Sequence, residues 1–146
     1  MQVWSNDAMI REVDTTNRDY SYSIEEAKTD GIGRAYTICV ASKDGYQIST
    51  YAELSISNPV PPVLLNVYTA ATVDSITVNW VPSEVPDLKN YAVWLSMTSN
   101  FDPTQMPPTW TSKDLTTTFG DLQPTTPYYI RVAVRDLWEN TVWNYI

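Results

Sequence analysis

Four places in the chain carry residues able to do chemistry. Glu25 and Glu26 are adjacent, Glu84 and Asp87 flank Pro86, Asp30-Gly31-Ile32-Gly33 forms a small glycine loop, and Cys39 is the only thiol in 146 residues. Adjacent carboxylates point in different directions in either regular structure, so Glu25 and Glu26 do not form a facing acid–base pair. Glu84 and Asp87 read as solvated turn residues, and neither pair has glycosidase-like or metal-ligand spacing. The glycine loop lacks the further glycine and the Lys-Ser/Thr of a phosphate-binding loop, and reads as a tight connection between strands. Calcium at Asp30 or Asp87 finds no EF-hand pattern behind it. Cys39 has no partner in sequence to lower its pKa, and reads as a half-exposed strand residue on an outward face. Histidine is absent, which excludes Ser-His-Asp and Cys-His catalysis and histidine-based zinc sites. The expectation is no catalytic residue, no cofactor and no metal.

The aromatic residues come next. Arg131 and Arg135 alternate with Tyr129 and Ala133, and a cation–π ladder with Trp94 of a neighbouring strand fits that pattern. Trp110, Trp138 and Trp143 read as packing against an adjacent module, with exposed glycan contacts as the alternative. No Arg-Gly-Asp tripeptide is present.

Composition limits the partners. The formal net charge is -8, and no Lys/Arg run exists. That argues against a nucleic-acid footprint, which needs a clustered basic face, and against an anionic membrane surface. No apolar stretch reaches membrane-spanning length, and the first residues show no signal peptide. A single cysteine allows no disulfide within the chain. The polypeptide reads as soluble and as an excerpt of something longer.

The elements that position these residues are strands. From Leu122 to Arg135, Tyr128, Ile130, Val132 and Val134 alternate with Tyr129, Arg131, Ala133 and Arg135. This predicts a strand with one face in a core and one in water. Tyr128, just after the Pro124–Pro127 turn, has the setting of a tyrosine corner, its hydroxyl bonded to backbone a few residues upstream. Further strands are predicted at 63–68, 75–81, 91–97, 109–112, 116–119 and 141–146, with turns spaced as in a β-sandwich. Thr98 to Pro108 is a polar, proline-broken region. Asn58-Pro59-Val60-Pro61-Pro62 is a stiff extended connector and marks the domain boundary. Before it, strands are expected near 2–5, 9–13, 20–24, 34–42 and 48–57. Ser23-x-x-Glu26 has capping-box spacing for a helical turn over 25–28.

A repeat lies inside the chain. Tyr36 to Asp44 and Tyr128 to Asp136 share five identical positions at a separation of about 92 residues, and Val3-Trp4 matches Val93-Trp94 at about 90. By this repeat, residues 1–58 are the later part of a unit whose first two strands are missing, and residues 59–146 are the whole unit.

Ser75-Ile-Thr-Val-Asn-Trp80 with Pro82, Tyr91-x-Val93, and Leu122-x-Pro124-x-Thr126-x-Tyr128-x-Ile130-x-Val132 together resemble a fibronectin type III domain. The resemblance implies an all-β fold of tandem immunoglobulin-like sandwiches, the first N-terminally truncated. It makes Trp80 the core tryptophan and Tyr128 the corner. The run from Tyr20 to Arg34, then Tyr36 to Asp44, Leu54 to Pro59 and Pro61-Pro62, is similar to fibronectin-like repeats in the tail-tip host-specificity proteins of long-tailed bacteriophages and prophages. That similarity implies a non-enzymatic spacer module of a large virion protein, usually trimeric, at the phage tail tip. Its partners would be neighbouring domains and a host surface receptor, without nucleic acid or membrane insertion. The bare inner face of a truncated unit leads us to expect self-association of the fragment. The alternative is a fibronectin-like accessory module, binding glycan or protein, of a bacterial surface or secreted protein.

Overall fold

The computed structural model describes residues 1–138. Two compact units divide between Pro59 and Val60. The strand expected over 141–146, and Trp143 within it, lie outside the described residues.

The first unit is one antiparallel sheet with a short helix. β1 (Gln2–Ser5) and β2 (Ala8–Glu12) form a hairpin, followed by α1 (Ile24–Thr29), β3 (Ala35–Val40) and β4 (Ala52–Ser57), in the sheet order β2-β1-β3-β4. Asn6 and Asp7 make the two-residue hairpin turn with φ of 51° and 62°, left-handed values that Asn and Asp tolerate. The expected strand over 20–24 is not formed. Ser23 caps α1 there, its hydroxyl accepting from the Glu26 N–H while the Glu26 carboxylate accepts from the Ser23 N–H, so the capping box anticipated from spacing is present. That local pair outweighs the strand propensity of Tyr20 and Tyr22. Val3, Ala27 and Ile32 are buried.

The second unit is a β-sandwich. One sheet holds β5 (Val67–Ala71), β6 (Ile76–Trp80) and β9 (Thr116–Phe119) in the order β5-β6-β9; the other holds β7 (Leu88–Ser96), β8 (Trp110–Ser112) and β10 (Tyr129–Asp136) in the order β10-β7-β8. The first strand begins four residues later than expected and β7 three residues earlier; the other strands among the described residues fall where alternation placed them. Leu64, Val78, Trp80, Tyr91, Val93, Val132 and Val134 form the core. Trp80 is buried, with the Tyr91 ring 5.5 Å and the Trp110 ring 5.7 Å away between centroids.

One expectation about β10 is corrected. Its outward face is not wholly in water: Ala92, Trp94 and Ala133 form a second buried cluster, with Phe101 packed on it. Pro103, at the start of a 3-10 turn, is buried as well. The Trp94 indole N–H donates to the Met106 carbonyl at 3.1 Å. The Thr98–Pro108 connection therefore folds back over the sheet, and β10 is buried on both faces at its middle, around Val132 to Val134, while Tyr129 stays exposed.

The repeat also needs adjusting in register. β1 and β3 pair Val3 with Ile38, whereas β7 and β10 pair Leu95 with Ile130. With β3 laid on β10, Val3 falls at Leu95, two residues from Val93. The Val-Trp match is offset by one full pleat, which leaves the facing of each side chain unchanged.

Candidate functional site

The densest polar constellation is in the first unit, built from the run that sequence similarity singled out. α1 presents Glu26 one turn before Asp30, so both carboxylates reach the same side of the helix. Arg11, on β2, donates to Asp30 through Nε (2.6 Å) and Nη2 (2.8 Å), a two-pronged contact, and to Glu26 through Nη1 at 3.3 Å. The Tyr22 hydroxyl donates to Asp30 at 2.7 Å and the Tyr20 hydroxyl to Glu26 at 2.8 Å. The Arg11 guanidinium lies 5.7 Å from the Tyr22 ring centroid, and Tyr22 meets Tyr36 of β3 edge to face at 5.6 Å. Arg11 thus ties the hairpin to the helix, and the Tyr22 ring carries the contact on to β3.

The electrostatics follow from these contacts. The Arg11 hydrogen bonds, then that of Tyr22, hold the Asp30 carboxyl below its ordinary range. The Ser23 backbone N–H, then the Tyr20 hydroxyl, do the same for Glu26. Burial, with the bond to Asp30, pushes the Tyr22 phenol up; the Asp30 bond above all raises Arg11. Every group is driven further into the protonation state it already holds at neutral pH. None of these four groups is moved towards neutral pH, where a general acid or base works.

A second junction joins the end of that run to the Leu54–Pro59 segment. Arg34, after the glycine loop, donates to Asn58 Oδ1 at 3.2 Å and to the Pro59 carbonyl at 3.1 Å, and the Asn58 N–H donates to the Arg34 carbonyl at 2.9 Å. Gly31, at φ 70°, supplies the left-handed turn that follows α1.

The other candidate residues take these positions. Cys39 is buried, against the expectation of half-exposure: it faces outward as predicted, but sits opposite Gln2 in a groove that Trp4, Thr37 and Glu53 also line. Among the described residues no group of three Cys, Asp or Glu gathers to hold a metal. Asp87 accepts from the Leu137 N–H through its backbone carbonyl. Arg131 stands across from Trp94 in register, and its guanidinium lies 5.9 Å from the Phe101 ring centroid, a partner that sequence spacing could not reveal. Trp110 packs edge-on against Trp80 inside its own unit, and Trp138 is buried. Tyr128 makes the corner: its hydroxyl accepts from the Gln123 N–H at 3.1 Å.

No protein-family model matches the chain, and no curated protein matches it. Among solved structures, a two fibronectin type III domain segment from chicken tenascin is similar at 19% identity and a TM-score of 0.54, over 76% of this chain and 62% of that one. The FN1–FN3 domains of chicken CNTN1 match at 17% identity and a TM-score of 0.46, over 72% of this chain and 38% of theirs. The Clostridium perfringens spore cortex lytic enzyme SleM matches at 14% identity and a TM-score of 0.47, over 71% of this chain and 35% of that one. The chain therefore spans less than two thirds of the length of each of these structures. The tenascin likeness, at that identity, is one of fold, and together with the two facing sheets it gives this chain a fibronectin type III-like β-sandwich fold.

Proposed function

We propose that this chain is a non-catalytic structural module of the tail-tip host-attachment protein of a long-tailed phage or prophage. In this reading it is a spacer of two compact units that contacts neighbouring domains and reaches towards a host receptor. The observation that carries the reading is what the motif residues do. Tyr20, Tyr22, Ser23, Glu26, Asp30, Arg34 and Asn58, all from the phage-like segments, hydrogen-bond to one another or to Arg11 and Pro59, which supports reading their spacing as bracing. Bracing suits an element that transmits position and force. The glycan-binding alternative would call for a coplanar pair of exposed tryptophans. Trp138, like Trp94, is buried and Trp110 lies against Trp80, which speaks against such a pair among them.

Immunogold electron microscopy with antibody raised against this chain tests the assignment, on particles induced from the source strain. Gold at the distal end of tails is the expected result. Gold confined to the bacterial surface, with bare tails, would assign the chain to a surface protein instead.

A further inference from the structure

The two units treat the same sheet face differently. β1 lies between β2 and β3, as β7 lies between β8 and β10. With β3 laid on β10, Gln2 and Cys39 fall at Trp94 and Arg131, and Trp4 falls one pleat further along, at Ser96. All these side chains share the outward face of their sheets. In the second unit residues 97–109 join β7 to β8 and cover that face. Phe101 packs on Trp94, Pro103 is buried, and the Trp94 indole N–H donates to the Met106 carbonyl. In the first unit only Asn6 and Asp7 join β1 to β2, too short a turn to fold back across the strands.

An open groove of about 670 Å³ lies there, lined among others by Gln2, Trp4, Thr37, Cys39, Glu53 and Ser55, a volume in the range of ligand sites. Its aromatic wall is set before anything binds. Trp4 is half-buried, its indole N–H donates to Gln2 Oε1 at 3.1 Å, and Gln2 Nε2 donates to Glu12 Oε1 at 3.1 Å. The side chains of Thr37, Glu53 and Ser55 make no hydrogen bond or ion pair among the described residues. The charged groups of the lining are Asp7 and Glu53, both acids.

We propose that this groove binds an extended, proline-bearing and basic peptide segment of a partner protein, which lies on the first unit as the connection through Phe101 and Pro103 lies on the second. Proline rings give apolar surface to the Trp4 indole, and a backbone already held extended loses little freedom on docking. Its carbonyls, unpaired in that conformation, accept from the Thr37 and Ser55 hydroxyls. Lys or Arg beside the prolines is drawn to Asp7 and Glu53, and an acidic segment is repelled by them. The inference rests on the groove and on the second unit; the absence of gold from phage tails would leave it standing.

Two capped peptides copying residues 101–108, one unaltered and one carrying Asp102→Lys, serve as probes. Each is titrated into the full chain by nuclear magnetic resonance, with Trp4→Phe identifying the Trp4 indole signal. The expected result is a saturable shift of that indole and of the Thr37 and Ser55 amides, with second-unit signals unmoved. The Asp102→Lys peptide should bind several-fold more tightly at low salt. Replacing its three prolines by alanine should weaken binding several-fold, and Trp4→Ala in the chain about tenfold, as for an interface anchor. Asp7→Lys with Glu53→Lys should reverse the preference between the two peptides, a reversal that misfolding does not produce. The proposal is overturned if neither peptide gives a saturable shift at Trp4, if the shifts are confined to the second unit, or if the alanine peptide binds equally well. It is overturned too if maltoheptaose saturates the Trp4 signal and the peptides do not, because the groove would then be a saccharide site.

Discussion

Trp80 holds the second unit through area and shape. Its indole nitrogen finds no acceptor among the described residues, so the ring contributes through burial and its contacts with Tyr91 and Trp110. Trp80→Ala should cost about 3–5 kcal/mol in chemical denaturation, the range for emptying a packed aromatic site. Tyr128→Phe removes one hydroxyl acceptor for the Gln123 N–H and should cost about 1 kcal/mol. If both variants unfold with the parent, the core has been assigned to the wrong residues. These two positions were legible because each follows from local pattern: alternation puts Trp80 inward, and the proline turn puts Tyr128 at the corner. Cys39 and Ala133 were not legible as buried. Alternation says which face a residue takes, but whether that face is wet depends on distant chain, here the groove around Trp4 and the returning loop with Phe101 and Pro103.

At the scale of elements, α1 and its clasp carry the pH dependence of the first unit. Asp30 and Glu26 have carboxyls depressed in the folded state. Their contribution is therefore present above the unfolded carboxyl range of about 4, and is lost as pH falls through the lower folded values. Tyr22 is raised, so its contribution is complete below the unfolded phenol value of about 10 and fades only as pH climbs past the higher folded one. The helical signal of α1 should stay flat through neutral pH and decline in acid below about pH 4. Asp30→Asn should weaken α1 at neutral pH and flatten that acid decline. Far-ultraviolet circular dichroism across pH is the measurement, and an unaltered acid profile in the variant would show that the clasp does not hold the helix. The capping box could be read from Ser23-x-x-Glu26 because it closes within four residues. The Arg11–Asp30 contact could not, since it joins residues nineteen apart through a hairpin whose register sequence does not specify.

For the molecule as a whole, each unit's core predicts its place in the order of unfolding. The second unit closes an aromatic and aliphatic core between two sheets and adds the cluster around Trp94 on the far side. The first rests on Val3, Ala27, Ile32 and Cys39, with Val40 and Leu54 left outside. Less apolar surface is removed from water there, and proteins of more than one unit need not unfold in a single step. In urea the first unit should therefore open first, with a shallow dependence of about 1 kcal/mol/M, as suits its small buried area. Trp4 is the only tryptophan among residues 1–59, so its emission isolates that step. Trp4→Phe should erase the early phase of the fluorescence curve while circular dichroism still records it. A single transition in which Trp4 and the second unit's tryptophans change together would mean that the first unit draws its stability from outside its own core. The ranking by core content would then fail.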